Sequence, residues 1–296
     1  MIEKPISFFD RALAIGCFLG LAYLFYPTIL EIARICMTDD DYSHGTLLPF
    51  VMLYMFWDSR DKMSKNIIEA HNLRRKSNLI LPLIVLILGL ALFFIGEATG
   101  ISFTCWLAFF PVILSTIYLI YGRAAFYNFA PPILLLYMAK PLPDSLVVRL
   151  FWPMQVIAAK VGKEVLAALN VPVYLNGNII EIPGMRLMVE EACSGMRSVM
   201  AMITLSLIVC YFLEMRLIYK IILVLFSLLV AIILNVFRVA ATGVLAHFYD
   251  PNAASGFFHT FSGLVVFIIG LPLLYGFGFF LQRSSANIKE RKRGRS

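Results

Sequence analysis

The sequence predicts an all-α integral membrane protein: a polytopic bundle of about eight transmembrane helices, with a small extracytoplasmic β element just before the helix that follows Cys193. Three observations carry this prediction. Of the 296 residues, 60% are hydrophobic, and the mean hydropathy of +0.84 lies far above that of a soluble domain. Apolar runs near the roughly 20 residues needed to cross a bilayer recur along the chain. With both termini inside, the positive-inside rule accounts for most of the 25 Lys and Arg residues.

The first apolar run, 12–33, follows Glu3, Lys4, Asp10 and Arg11 without an A-x-A cleavage signature, which predicts a retained first helix and not a cleaved signal peptide. Further spans are predicted over 46–57 with some extension, 79–96, 101–121, 124–139, 195–213, 221–247 and 259–281. Residues 146–169 mix Arg149, Gln155, Lys160, Lys163 and Glu164 with apolar residues, the pattern of an amphipathic helix at the interface or of a further span. Segments 34–45, 97–100, 140–194 and 248–258 then lie outside. There is no internal repeat. One membrane domain is expected over 1–283, followed by a basic cytoplasmic tail, 284–296, containing Arg291-Lys292-Arg293. On such a protein a net charge of +7 sets topology and attracts acidic headgroups, so lipids and not nucleic acid are the expected partners.

The β element is read from Val171-Pro172-Val173-Tyr174-Leu175-Asn176-Gly177-Asn178-Ile179-Ile180-Glu181-Ile182, where β-formers flank an Asn-Gly turn signal. Pro183-Gly184 marks a second turn and Arg186–Glu190 a further short strand. This element feeds Glu190-Glu191-Ala192-Cys193-Ser194-Gly195-Met196-Arg197 into the next helix.

Five cysteines without a CxxC pair give no disulfide framework, and Cys17, Cys105 and Cys210 lie within apolar runs as small hydrophobes. Cys193 differs. Ser194 is a candidate N-cap, and the positive end of the helix it opens favours a thiolate over a free thiol of pKa near 8.5. Arg197 stands one turn along the same face, either to support that thiolate or to hold Glu190 or Glu191. A carboxylate beside the sulfur raises its pKa, so at least one of the two acids is expected to turn toward an arginine. Arg238 interrupts Ile232-Ile233-Leu234-Asn235-Val236-Phe237-Arg238-Val239, and a charge within a spanning helix reads as functional by default. Asn235 and Thr242 share its face. Arginine cannot act as a base, so its work is to stabilise an oxyanion or to lower the thiol pKa. His259 opens the last apolar helix, where an imidazole can exchange a proton with the thiol and a leaving amine; His247 is the competing base. These residues reach one membrane face and are the parts of a cysteine peptidase or transpeptidase. Asp39-Asp40-Asp41-Tyr42-Ser43-His44-Gly45 forms a further outer cluster, whose acids can receive a cation or simply be solvated. A transporter would place polar residues at several depths, and a metal hydrolase would show paired-ligand spacing such as H-E-x-x-H; neither pattern is present in the sequence.

Tyr42-Ser43-His44-Gly45, Glu191-Ala192-Cys193-Ser194-Gly195-Met196-Arg197, Asn235-Val236-Phe237-Arg238-Val239 and His259, in that order, resemble the exosortase/archaeosortase family. The resemblance implies a multi-pass enzyme of the bacterial inner membrane with its active site facing the periplasm, needing neither cofactor nor metal. Its substrates would be proteins with a C-terminal sorting signal of PEP-CTERM type: a short motif, a membrane helix and a basic cluster. It assigns Cys193 as nucleophile, Arg238 as the catalytic arginine and His259 as the histidine. Tyr42, His44, Glu190, Glu191, Arg197 and Asn235 are the supporting and substrate-binding candidates.

Overall fold

The computed structural model describes residues 8–73, 79–140, 142–183, 185–188, 195–248 and 257–293. The chain divides into two compact units, Met1–Leu142 and Pro143–Ser296.

In the first unit, α1 (Phe8–Thr38) leads through a 3-10 segment (Asp40–Leu47) into α2 (Leu48–Leu73), α3 (Ile80–Thr99) and α4 (Ser102–Leu135), which ends in a 3-10 turn (Leu136–Ala139). Gly100 closes α3 at φ +70, a left-handed conformation natural to glycine, and its N–H returns to Glu97 and Gly96 carbonyls. A tight turn there sets α3 and α4 side by side. A Cβ on Gly89 would come within 2.8 Å of Val112 Cγ2, and one on Gly96 within 2.9 Å of the Cys105 backbone, so small residues seat the pair closely. Phe25, Phe93, Cys105, Ala108 and Val112 form the core they share with α1.

The two helices expected over 101–121 and 124–139 are two arms of α4. Gly122 breaks the stretch at φ 84, ψ −176. The reversal shows in the packing: the rings of Phe110 and Tyr137 stand 5.4 Å apart, whereas a straight helix would separate those residues by about 40 Å. Helix α2 runs well past the expected 46–57. The charges that begin at Asp58 end the apolar run but not the helix, since Lys, Arg, Glu and Met are good helix formers.

In the second unit, α5 (Asp144–Ala168) precedes β1 (Tyr174–Asn176), β2 (Ile179–Ile182) and β3 (Met185–Met188), and α6 (Gly195–Phe212), α7 (Leu217–Phe248) and α8 (Phe257–Arg293) follow. The strands form an antiparallel sheet in the order β1-β2-β3. The Asn-Gly signal is the β1–β2 turn: Asn176 pairs with Ile179, and Gly177 takes φ +62 at the first central position, the type II′ pattern. Ile182 pairs with Met185 and Pro183 stands in a turn, while Gly184 of the expected second turn lies outside the described residues. Glu181 and Arg186, opposite each other across the strands, make a 3.0 Å ion pair.

Helix α5 is amphipathic as expected. Phe151, Gln155, Ala158, Ala159, Gly162 and Leu166 form its buried stripe. That stripe packs on α7 and the sheet: a Cβ on Gly162 would meet Val239 Cγ1 at 2.9 Å and Ile180 Cδ1 at 3.3 Å, and one on Gly243 would meet Leu166 Cδ1 at 2.9 Å. Val171, Ile180, Ile182 and Val239 complete this core. Asn178 Nδ2 donates to Gln155 Oε1 at 3.1 Å, satisfying two buried amides and tying the hairpin to α5.

Among the described residues, five stretches are long and apolar enough to cross a membrane: Ala12–Thr38, Ile80–Thr99, Ser102–Ala139, Leu217–Leu245 and Leu264–Ala286; Met196–Phe212 is a shorter one. Ser102–Ala139 contains both arms of α4. Large apolar side chains such as Leu88, Phe94, Phe237 and Ile268 stay exposed along them, a surface suited to lipid. The last helix continues through the expected tail boundary at 283/284 as far as Arg293.

Candidate active site

Two packed layers fix how α6, α7 and α8 run. A Cβ on Gly270 of α8 would lie 2.7 Å from the Met202 side chain of α6 and 3.7 Å from Leu234 Cδ1 of α7. One on Gly278 would meet Leu213 Cδ1 at 2.7 Å, Leu223 Cδ2 at 3.2 Å and Val209 Cγ1 at 3.3 Å. From the first layer to the second the numbering rises in α6 and α8 and falls in α7, so α6 and α8 run one way and α7 the other. Counted at 1.5 Å per residue from the Met202–Leu234–Gly270 layer, Arg238 stands about 6 Å, Gly195 about 10 Å and His259 about 16 Å toward the same end of the bundle. His247 lies further out on α7, half-buried, its ring edge-on to Phe248 at 4.9 Å.

Arg238 is 5% exposed, Asn235 3% and Thr242 7%. This is the polar stripe that their spacing predicts, turned into the protein while Phe237 and Ile233 face outward. Asn235 Oδ1 is buried and has no hydrogen-bond partner among the described residues. A buried guanidinium keeps its charge, and a low-dielectric setting strengthens its pull on a developing anion. Val239, next to Arg238, carries the packing of α5 and β2, so the sheet is anchored at the level of the arginine. Its last strand ends at Met188, paired with Ile179 beside that anchor.

Cys193, Glu190 and Glu191 lie outside the described residues, as does the expected cap Ser194. Cys193 precedes the first residue of α6 by two positions and follows Met188 by five, a chain reach of at most about 18 Å from the anchored strand. Arg197 is half-buried in the first turn of α6. His259 occupies the first turn of α8, and its side chain lies outside the described residues.

Tyr42 and His44 belong to the first unit. Tyr42 is buried. His44 Nε2 stands 3.1 Å from the Met138 carbonyl, to which it donates when it carries the ring proton, while Nδ1 is buried and makes no hydrogen bond among the described residues. Cys36 Sγ donates to the Ala139 carbonyl at 3.4 Å, and Thr46 Oγ1 donates to the Cys36 carbonyl at 3.1 Å. Together these bonds staple the 40–47 loop to the ends of α1 and α4. Gly45 seats against the same turn, where a Cβ would come within 3.3 Å of Ala139 Cα. Asp39 accepts from the Asp41 N–H at 2.9 Å, capping the loop's 3-10 segment.

Burial pulls the His44 pKa below its usual value, opposed by the Met138 and Asp41 backbone carbonyls and the Asp41 carboxylate. The folded protein therefore binds this proton more weakly than the unfolded chain does. Stability associated with His44 is complete above the free imidazole pKa of about 6.5 and declines as pH falls through and below it. Thermal unfolding in detergent at pH 7.5 and 5.5 should show a smaller loss for His44→Gln than for the wild type; equal losses would remove His44 from the acid response.

A feature not anticipated from the sequence is Lys140. It is 5% exposed, and its Nζ donates to Glu31 Oε1 at 3.1 Å and Ser102 Oγ at 3.0 Å. Glu31, an acid near the end of an otherwise apolar span, was the available signal.

The sequence model of the transmembrane exosortases matches residues 36–276, which include the 40–47 loop, Cys193, Arg238 and His259. The chain belongs to the transmembrane exosortase family. No curated protein and no solved structure shows significant similarity to it. As an exosortase it is a multi-pass membrane protein, in keeping with its apolar helices.

Proposed function

We propose that this exosortase is a membrane-embedded cysteine peptidase or transpeptidase acting on proteins with a C-terminal sorting signal of PEP-CTERM type. Residues 1–283 form the catalytic membrane domain and 284–296 a cytoplasmic tail. The protein resides in the bacterial inner membrane, with the reactive end of the α6–α8 bundle toward the periplasm. The substrate's own membrane helix docks among the spans, presenting the scissile peptide at the outer interface.

The Cys193 thiolate attacks the scissile carbonyl to give a tetrahedral oxyanion, which Arg238 stabilises. His259 takes the thiol proton and returns it to the leaving amine as the C–N bond breaks. Water or an acceptor amine then attacks the Cys193 thioester and releases the thiol. Asn235 Oδ1, a buried acceptor one turn from Arg238, takes an N–H from the substrate or orients the guanidinium. Arg197 balances Glu190 and Glu191 beside the sulfur. Tyr42 and His44 are substrate-binding candidates, carried by the outer loop that their own unit holds in shape.

The observation that supports this reading is the shared end of α6, α7 and α8: the buried Arg238, the helix start that follows Cys193 and the helix turn that bears His259 all lie on one side of the Met202–Leu234–Gly270 layer. The test is a covalent trap. Purified protein is mixed with a tagged sorting-signal substrate, quenched in acid and mapped by mass spectrometry. A thioester on the Cys193 peptide is expected. Substrate turnover without an adduct there would sink the proposal.

A further inference from the structure

At the opposite end of the same bundle, the α6–α7 turn and α8 line an open pocket of about 720 Å³. Arg216, Lys220 and Arg283 line it, with Glu214, Gln282 and Ser285. Among the described lining residues, three cations against one carboxylate leave a net positive charge. Its walls are tied in place. The Arg216 backbone N–H donates to Ser285 Oγ at 3.3 Å, and Cys210 Sγ donates to the Lys220 carbonyl at 3.7 Å, so the turn is held to both α8 and α6. The Arg283 guanidinium lies 4.4 Å from the Phe279 ring centroid.

The surroundings define what the pocket can take. Leu217, Ile218, Phe279 and Phe280 are exposed next to it, an apolar surface for hydrocarbon directly beside a cationic cavity. Lys220 and Arg238 are 18 positions apart on α7, or about 27 Å along its axis, close to the roughly 30 Å of a bilayer's hydrocarbon core. The pocket therefore sits at the other bilayer face from the arginine of the candidate active site. A basic cavity between membrane helices, with lipid-facing apolar residues at its edge, matches an acidic headgroup on acyl chains. We infer that this pocket binds the phosphate headgroup of an anionic glycerophospholipid, whose chains lie along Leu217, Ile218, Phe279 and Phe280.

The test uses the full-length protein, purified in mild detergent and titrated with dioleoyl-phosphatidylglycerol or dioleoyl-phosphatidylcholine, with retained lipid read by native mass spectrometry. The wild type should retain the anionic lipid in preference, and the preference should fall as salt is raised. Arg216→Gln with Arg283→Gln should weaken anionic-lipid retention by about fivefold per cation removed, roughly 25-fold in all. The Lys replacements at both positions should keep most of it, which separates lost charge from a disturbed fold. Arg291→Gln with Lys292→Gln, in the tail, should leave it unchanged. Equal retention of the two lipids by the wild type overturns the inference. So does an equal loss in the tail variant, which would mark diffuse charge attraction, or complete displacement by millimolar inorganic phosphate, which would mark a free-anion site. Cys193→Ala should bind lipid as the wild type does, so this result stands apart from the fate of the proposed chemistry.

Discussion

A Cys193→Ala variant should process a co-expressed sorting-signal substrate at least about 10³-fold more slowly than the wild type, while reaching the membrane at normal levels. The magnitude follows from the covalent route: without the sulfur there is no acyl-enzyme, and the remaining groups can only position a water. No other described cysteine is placed to substitute. Cys36, Cys105 and Cys210 are 5%, 2% and 5% exposed and bond to backbone carbonyls, and Cys17 lies within the α1 span. Cys193→Ser should be nearly as inactive, because a serine has no accessible anion at neutral pH. Initial rates in proteoliposomes, normalised to protein in the membrane, are the measurement. Processing by the alanine variant within tenfold of the wild type would refute the nucleophile assignment.

What the sequence made legible follows from which forces are local. Hydropathy located the spans in α1, α3, α4, α7 and α8 and the shorter one in α6, whereas α2, expected to cross over 46–57, is not among the described helices apolar enough to do so. The break between 121 and 124 marked the reversal at Gly122, where the backbone takes a positive φ. Asn176-Gly177 gave the hairpin, since its turn demands a positive φ. The Asn235–Arg238–Thr242 stripe was readable because helical spacing alone puts those residues on one face. Helix ends were not readable. Hydropathy marks where a helix leaves lipid, not where its hydrogen bonding stops, so α1, α2 and α8 run beyond their apolar runs to Thr38, Leu73 and Arg293. Long-range polar pairings were equally hidden. His44 meets Met138, Cys36 meets Ala139 and Lys140 meets Glu31 across some hundred residues, and nothing at either end names its partner. The role of α5 was hidden in the same way: its apolar stripe was visible, but the surface it covers on α7 was not.

Replacing Arg238 should have the second-largest effect, and the choice of replacement decides what is learned. Arg238→Ala should lower kcat by about 10²–10³-fold, the usual loss when a preorganised oxyanion donor is removed, with little change in KM if the contact forms only in the transition state. Alanine also empties a site that is 5% exposed, so its loss alone would mix chemistry with packing. Arg238→Met removes that ambiguity. It fills similar volume without a charge, and its unfolding temperature reports whether losing the guanidinium's own contacts has disturbed the fold. A methionine variant that unfolds at the wild-type temperature yet has lost activity therefore assigns the guanidinium to the reaction. Its pH–rate profile then separates the two roles open to the arginine. If Arg238 serves the oxyanion, the variant should be slow at every pH with its acidic limb unmoved. If it serves the sulfur by lowering the thiol pKa, that limb should shift upward and activity should recover in alkaline buffer as the thiolate forms unaided. Methionine activity within threefold of the wild type at neutral pH would place Arg238 in the packing of α7 and outside the chemistry.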